Sequence, residues 1–401
     1  MSRLVLPLSI LLLWLATPTF AGASQAIRAP FGFGIGQQRC DRGLEKQLDA
    51  TLDFVQAAQG GGGGVQAVLM RHGRVLWSAE RGAAIVDPLV PVDRHTLFAF
   101  ASFGKLMLSA FALDRVESGA LDLDAPISKY VGDSVPGSEV VTVRTLLTHT
   151  AGYPEVYESP EVGPLFAEEY DPNREWSFAT LAPGIHDPVD PAARWAYSNT
   201  GYIVLARVLQ AITPESLERA YIRFVRRAGV TERDLTMQRS PFALSRFAHG
   251  YVGDGSSLSD SFAGAAAIPT DLYGLPFGDG AFAGTATGAA RFLDALFVRG
   301  RLLRYHSVRQ MVEPTPQSLA AGPFGEIQSY GMGTASYNAA GRVWHGHDGT
   351  YVGFTAMGAT DLRRGVSIAV LTNREPRTRQ PAIVLWRALA ETYADATRRH
   401  P

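Results

Sequence analysis

Apolar residues follow two different periods along the chain, and these periods predict strands near both ends and helices between them. A spacing of three to four predicts a helix over residues 44–59. The segments VQAVLM and RVLWSAE flank His72-Gly73 and predict a strand, a turn and a strand. RVWHGHDG, VGFTAMGA and VSIAVLTN, near the other end, also have strand patterns. Further helices are predicted over residues 103–119, 142–149, 201–228 and 381–397, with Gly152 as a left-handed cap after the second of these.

This order of elements predicts one mixed sheet made from both ends of the chain and an inserted helical lobe. We expect a single α/β (α+β) domain over residues 45–395, with the sheet lobe at 45–125 and 286–395 and the helical lobe at 126–285. A cleft between two lobes is a usual place for a ligand site. Residues 24–43 are predicted to be a flexible lead. Two long stretches, 154–191 and 250–285, are either functional rims or disordered.

The first 23 residues have the features of an export signal. An early Arg3 precedes an apolar stretch over residues 4–16, and Ala21-Gly22-Ala23 is a small-residue cleavage pattern. The alternative is an uncleaved membrane anchor, but the apolar stretch is short for a span. We therefore predict cleavage after Ala21 or Ala23 and a periplasmic or secreted protein without stable membrane insertion.

Charge and cysteine content exclude several classes of function. The 401 residues include 37 basic and 38 acidic side chains without a long run of either sign, so no nucleic-acid partner is expected. Cys40 is the only cysteine. An intrachain disulfide is therefore impossible, and stability must come from the core. The sequence leaves the oligomeric state open.

The lysine in the apolar stretch FAFASFGKLMLSAF is a candidate catalytic residue. Lys105 is the only side chain between Arg94 and Asp114 that is fully charged at neutral pH. It follows Ser102 by three positions, so the two side chains share one face of the predicted helix. A desolvated lysine can be neutral near pH 7 and take the proton of a serine nucleophile. The alternative is a structural lysine that extends to the surface.

Two further segments carry candidate chemical groups. WAYSNTGY contains Tyr197 and Asn199, which in an extended segment point the same way, one as a proton shuttle and one as an amide donor. VWHGHDGTYVGF contains His347, Asp348 and Gly349 on a predicted strand. We expect His347 to face the cleft and Gly349 to let a substrate backbone approach closely.

With these three motifs in order, the chain resembles the class C β-lactamase and penicillin-binding serine hydrolase family over nearly all of residues 45–395. The matching motifs are Ser102-Phe-Gly-Lys105, Tyr197-Ser-Asn199 and His347-Asp-Gly349. The flanking segments LDLDAPISKYV, LLTHTAGYP, FAHGY and IAVLTN are also similar to the family. The resemblance implies a β-lactamase/DD-peptidase-like fold, in which a mainly antiparallel sheet is flanked by helices.

The resemblance also implies a mechanism. Ser102 would form an acyl-enzyme, Lys105 and Tyr197 would share the proton transfers, and Asn199 would orient Lys105 or the substrate amide. His347 would lie where many relatives carry lysine, close to Tyr197. The backbone N–H groups of Ser102 and Thr350 would form the oxyanion hole. The implied partner is a small ester, amide or peptide substrate, and no metal or organic cofactor is implied.

One departure from the family pattern bears on the substrate. Class C β-lactamases usually have Lys-Thr-Gly at the third motif, where this chain has His-Asp-Gly. A neutral His347 beside an anionic Asp348 is a poorer site for a carboxylate. We expect Asp348 and the acidic stretch 154–191 to lie near the cleft mouth. The hypothesis is an exported serine hydrolase of esters or of peptides and amides, including those of D-amino acids, rather than a β-lactamase.

Other interpretations remain open. The chain could be a β-lactamase or a D-Ala-D-Ala carboxypeptidase, or a cell-wall binding protein with the same fold and no turnover. His345-Gly-His347-Asp348 is similar to the His-x-His-x-Asp of metallo-hydrolases, but Asp348 comes one position early. Gly132-Asp-Ser134 resembles a motif of another lipase class, but it lies in a predicted turn.

Overall fold

The computed structural model describes residues 37–59, 63–166, 174–237, 246–253, 277–376 and 380–398. The predicted signal peptide and residues 24–36 of the predicted lead lie outside these ranges. The helices are α1 (Gln37–Ala58), α2 (Phe103–Glu117), α3 (Ser128–Val131), α4 (Val143–Leu147), α5 (Gly163–Phe166), α6 (Phe178–Leu181), α7 (Asn199–Ile212), α8 (Leu217–Arg226), α9 (Ala286–Leu293), α10 (Tyr305–Val312), α11 (Pro316–Ala321) and α12 (Pro381–Arg398).

The strands come mainly from the two ends of the chain, as the hydrophobic pattern predicted. They are β1 (Val65–Arg71), β2 (Arg74–Arg81), β3 (Ala83–Ile85), β4 (Val90–Pro91), β5 (Phe98–Ala99), β6 (Leu235–Met237), β7 (Tyr251–Gly253), β8 (Phe282–Gly284), β9 (Ser329–Tyr330), β10 (Ala335–Ala339), β11 (Arg342–Tyr351), β12 (Phe354–Asp361), β13 (Val366–Thr372) and β14 (Arg374–Pro376).

The central sheet has seven strands in the order β2-β1-β13-β12-β11-β10-β9. Each described pairing within it is antiparallel, and β1 pairs directly with β13 from the opposite end of the chain. The predicted α/β fold with a mainly antiparallel sheet is therefore confirmed. A parallel pairing occurs outside this sheet, between β14 and β7.

Helices cover both faces of the sheet. One face packs on α1 and α12, and its core includes Leu48, Trp344 and Trp386. The other face packs on α2 and α9, and its core continues into the helical region that contains α4 and α7. Burial on both faces explains why β12 and β13 are apolar without alternation, since all their residues are buried. No helix in the described ranges is long and apolar enough to span a membrane.

Three local predictions are wrong in detail. Helix α1 begins at Gln37, so residues 37–43 of the predicted lead are helical. Apolar spacing gave no signal there because residues 37–43 are mostly polar, with the sequence QQRCDRG. The helix predicted over 201–228 is two helices, α7 and α8. Pro214 follows the break, and Thr213 before it is extended, as a residue preceding proline prefers.

The third error concerns the residue that ends α4. His149, with φ +57, is the first left-handed residue after this helix, where Gly152 had been predicted. Gly152 is also left-handed, but a Cβ there would lie 2.2 Å from the carbonyl oxygen of Val189. Gly152 is therefore needed for a close backbone approach rather than as a cap. A histidine in a left-handed conformation is uncommon and indicates a specific local demand.

Candidate active site

Ser102 lies at a sharp bend where the chain enters α2. Ala101 has φ +49, an unusual value for alanine, and Ser102 is the N-cap residue of the helix. The N–H groups of the next three residues are already bonded to the carbonyls of residues 100–102 at 2.9 to 3.1 Å. In this turn, therefore, only the N–H of Ser102 itself remains a candidate for an oxyanion hole.

Lys105 is fully buried, and its amine nitrogen Nζ donates three hydrogen bonds. The acceptors are Ser102 Oγ at 2.9 Å, Asn199 Oδ1 at 2.7 Å and the carbonyl oxygen of Asp279 at 3.0 Å. Burial lowers the pKa of Lys105 to about 8, against the opposing charges of Asp279, Glu155 and Asp348. Lys105 is thus held directly at Ser102 and does not extend to the surface.

Tyr197 and Asn199 reach the same place from the start of α7. Ser198 is extended and caps α7 through its side chain, which accepts the N–H of Gly201, so the helix begins at Asn199. Burial raises the pKa of Tyr197 well above its ordinary value, and a hydrogen bond with Ser102 opposes this shift. The ring centroid of Tyr197 lies 5.2 Å from Lys105 Nζ. The structure therefore brings together Ser102, Lys105, Tyr197 and Asn199.

Two carboxylates beside Lys105 were missed by sequence reasoning. Glu155 Oε2 accepts the backbone N–H of Asn199 at 2.9 Å, and Asp279 Oδ1 accepts the hydroxyl of Tyr157 at 3.1 Å. Burial raises the pKa of Glu155 to about 7 and that of Asp279 to about 6. Glu155 directly follows the family-like segment LLTHTAGYP and belongs to the acidic stretch 154–191 that was expected near the cleft mouth, although neither signal singled out this residue.

His347 is buried and has a partner on each ring nitrogen. Nδ1 lies 2.6 Å from the carbonyl oxygen of Asp348, which can only accept, so Nδ1 carries the proton. Nε2 therefore accepts from the hydroxyl of Tyr330 at 3.0 Å. Burial lowers the pKa of His347 to about 4, so the ring is neutral at pH 7. It lies near Tyr197, with ring centroids 6.2 Å apart, as predicted, but it supplies no positive charge.

Asp348 points away from Ser102. Side chains alternate along β11, so Asp348 faces the α1–α12 side of the sheet, where Tyr337 donates to Asp348 Oδ1 at 2.5 Å. The expectation that its carboxylate lies at the cleft mouth is therefore not met, although its charge still affects Lys105.

Gly349 is needed for close packing, but not with a substrate. A Cβ at Gly349 would lie 2.2 Å from the carbonyl oxygen of Phe100 and 2.9 Å from the nitrogen of Ser102. The group that approaches Gly349 is thus the start of α2, rather than a substrate backbone as predicted.

Along the edge of β11 that leads to Gly349, the described pairing with β10 ends before the site. The last pairing with β10 is Ala335 with Gly346. Beyond it, the N–H of Asp348 bonds to the hydroxyl of Tyr337 on the β10 side. N–H groups two residues apart point to the same edge of a strand, so the N–H of Thr350 points to this edge as well.

Comparison with known proteins gives the family. Residues 42–392 match the family model described as Beta-lactamase. The chain belongs to this family. Penicillin-binding protein 4* of Bacillus subtilis (strain 168) is 25% identical over 335 residues, which cover 78% of this chain and 68% of that protein. Esterase EstB of Burkholderia gladioli is 36% identical over 114 residues, which cover 27% of this chain and 29% of the esterase.

Solved structures support the same fold. The D-amino acid amidase from Ochrobactrum anthropi SV3, complexed with D-phenylalanine, superposes with a TM-score of 0.74 at 21% identity, covering 90% of this chain and 100% of the amidase. The family resemblance and the fold expected from the sequence are confirmed. This β-lactamase-family chain is a serine hydrolase. Among its described residues, no three His, Cys, Asp or Glu side chains are grouped to hold a metal ion.

Proposed function

We propose that the protein is an exported serine hydrolase that forms an acyl-serine intermediate on esters or on peptides and amides, including those of D-amino acids. The observation that carries this proposal is the 2.9 Å hydrogen bond between Lys105 Nζ and Ser102 Oγ in a fully buried setting. A pure binding protein would not require a buried lysine at this position, because the lysine loses solvation there.

The lowered pKa of Lys105 and the raised pKa of Tyr197 suit the two residues to different proton transfers. With a pKa of about 8, Lys105 is partly neutral near pH 7 and accepts the proton of Ser102. The raised pKa of Tyr197 keeps its phenol protonated, so it can donate to the leaving group. Asn199 holds Lys105 in place by accepting its hydrogen bond.

The reaction then follows in two steps. Ser102 Oγ bonds to the carbonyl carbon as its proton passes to Lys105, and the leaving alcohol or amine takes a proton from Tyr197. Lys105 then returns its proton to Tyr197. Water attacks the acyl-serine in the second step, gives up a proton through the same groups, and Ser102 regains its own. In both steps the N–H groups of Ser102 and Thr350 bind the oxyanion.

The charges around Ser102 favour neutral or ammonium-bearing substrates over carboxylates. Glu155, Asp279 and Asp348 act on the site with negative charge, whereas His347 is neutral. A lysine at the position of His347 would attract a carboxylate, and that attraction is missing here. The esterase and D-amino acid amidase relatives fit this preference. β-Lactamase and D-Ala-D-Ala carboxypeptidase activities are the alternatives.

The nucleophile is tested with Ser102→Ala. We expect a folded protein that is not labelled by a fluorophosphonate probe and does not hydrolyse p-nitrophenyl butyrate. Ser128, which is partly exposed at the start of α3, is substituted in the same way as the matched control and should leave both properties unchanged. A full hydrolysis rate in Ser102→Ala would disprove the assignment.

Substrate class is tested by measuring kcat/KM side by side on p-nitrophenyl butyrate, a D-alanine anilide, nitrocefin and a D-Ala-D-Ala peptide. Loss of a carboxylate clamp weakens anionic ligands roughly a hundredfold, so the first two should be better substrates. If nitrocefin or the peptide is hydrolysed best, the electrostatic argument is wrong and one of the alternative activities takes its place. Labelling of Ser102 without turnover of any of the four would instead favour a binding protein.

A further inference from the structure

The imidazole of His149 lies at the centre of an aromatic cage beside the proposed catalytic groups. Its ring centroid is 4.3 Å from that of Tyr197, 4.8 Å from Tyr330 and 5.0 Å from Tyr202. The side chain is 2% exposed. His149 thus packs directly on the phenol ring assigned to proton transfer, yet it belongs to none of the three sequence motifs.

His149 is also bonded to the chain on both sides of Tyr197. Its carbonyl oxygen accepts the N–H of Ala196 at 2.9 Å, and its Nδ1 accepts the N–H of Ser198 at 3.2 Å. Both bonds come from one residue in the left-handed conformation, with φ +57. The residues before and after Tyr197 are therefore hydrogen-bonded to the same histidine. The phenol ring of Tyr197 is fixed by its direct contact with the imidazole.

The tautomer of His149 follows from these bonds. Because Nδ1 accepts, the proton of the neutral ring is on Nε2, which is buried and has no hydrogen-bond partner among the described residues. An unpaired buried donor and a left-handed non-glycine residue both cost stability. Such costs at a contact with the reacting groups are typical of a residue retained for geometry rather than for stability.

We propose that His149 is a positioning residue that holds Tyr197 at Ser102, through its Nδ1 bond to Ser198 and its ring contact with Tyr197. This inference rests on the proposed role of Tyr197 in proton transfer. It assigns no proton transfer to His149 itself. A loosened Tyr197 would slow the chemical step more than it would weaken substrate binding, since small displacements of a catalytic group reduce rate steeply.

The test compares His149→Gly with His149→Asn. Glycine removes the imidazole without strain at positive φ, whereas asparagine tolerates positive φ and places an acceptor oxygen where Nδ1 was. On p-nitrophenyl butyrate we expect His149→Gly to lower kcat about 30-fold with KM changed by less than about threefold. The kcat of His149→Asn should be about tenfold higher than that of His149→Gly. His72→Gly is the matched control, because His72 also has positive φ but lies in the β1–β2 turn.

A double-mutant cycle with Tyr197→Phe shows whether His149 acts through Tyr197. We expect His149→Gly to cause little further loss of kcat in the Tyr197→Phe protein, since the group it positions is already gone. The same loss in both backgrounds would overturn the proposal. So would a folded His149→Gly enzyme with kcat near wild type, or a His149→Asn enzyme as impaired as His149→Gly.

A second pair of variants covers the case in which His149→Gly does not fold, and labelling of Ser102 separates failure of this inference from failure of the proposed function. If His149→Gly does not fold, His149→Asn is compared with His149→Gln, whose amide lies one bond further out. Asparagine should then be about tenfold more active, and equal activity would overturn the proposal. Wild-type enzyme that is not labelled at Ser102 by a fluorophosphonate would overturn the proposed function, whereas labelled wild type with fully active His149→Gly would overturn only the role of His149.

Discussion

Lys105, the proposed base, shows at the scale of one residue how burial lowers the pKa of an ordinary side chain. An exposed lysine has a pKa near 10.4 and is almost fully charged at pH 7. Burial in the apolar helix α2 lowers the pKa to about 8, and three acceptors still hold the amine in one position. The same surroundings therefore supply both the reactivity and the geometry.

This pKa predicts the pH dependence of hydrolysis. The active form has a neutral Lys105, so kcat/KM should rise with pH and level off above about 8. Lys105→Arg, which stays charged, should lose activity by about a thousandfold. Lys129→Arg, at an exposed lysine, is the matched control and should behave as wild type. A flat pH profile from 6 to 10, or an active Lys105→Arg enzyme, would exclude Lys105 as the base.

Glu155 gives a second residue-scale prediction, about stability. Its folded-state pKa of about 7 is raised from an ordinary 4.5, so its ionisation destabilises the folded protein as pH rises through that interval. Glu155→Gln stays neutral and keeps an acceptor for the N–H of Asn199. Its melting temperature should exceed that of wild type by a few degrees at pH 8 and match it at pH 4.5.

The same variant should change substrate preference. Removing the charge of Glu155 should lower the ratio of kcat/KM for an ammonium-bearing D-alanine anilide to kcat/KM for p-nitrophenyl butyrate several-fold. Glu158→Gln, at an exposed site three residues away, is the control for both measurements. If the ratio of the kcat/KM values for the two substrates is unchanged, Glu155 does not determine the substrate preference.

At the scale of elements, the site depends on how closely β11 meets the start of α2. The motifs on the two elements contact each other only because Gly349 lacks a Cβ, which would lie 2.2 Å from the carbonyl oxygen of Phe100. The N–H groups proposed for the oxyanion hole, of Ser102 and Thr350, belong to these two elements. Their relative position is therefore fixed by one glycine.

Substituting that glycine should separate the two elements. Gly349→Ala should lower the free energy of unfolding by about 1 to 3 kcal/mol, as overpacking does, and should lower kcat by at least about tenfold. Gly201→Ala is the matched control, because a Cβ there would meet nothing closer than 3.8 Å and alanine favours a helix. Chemical denaturation and steady-state kinetics measure both effects. Wild-type kcat in Gly349→Ala would show that the packing does not position the site.

At the scale of the whole molecule, the two ends of the chain meet in one sheet. Strand β1 pairs with β13 over seven positions, although about 300 residues separate them, and α1 packs on α12. The core on this face includes residues from both ends, such as Leu52 and Trp386. Truncation at either end therefore removes part of one shared core.

Export is the prediction that concerns the chain as a whole. We expect the protein in a periplasmic or culture fraction, with a mature N-terminus at Gly22 or Ser24. N-terminal sequencing or intact mass measures this directly. A membrane-bound protein that keeps Met1 or Ser2 would favour the uncleaved anchor.

The sequence by itself determined several of the elements and the motifs that carry the proposed reacting groups. Apolar periodicity is local, so it identified β1, β2, α2 and the final strands. The Ser102–Lys105 spacing placed two side chains on one helix face for the same local reason. The ordered motifs then indicated the family, which the comparison confirmed.

Only the tertiary structure decided what surrounds those groups. Glu155, Asp279 and His149 reach the site through contacts between distant segments, which no local period records. The neutral state of His347 depends on its burial, and the direction of Asp348 depends on the sheet face to which β11 turns it. Side-chain pKa values and strand faces are properties of the packed molecule, because burial and long-range pairing set them after the elements have formed.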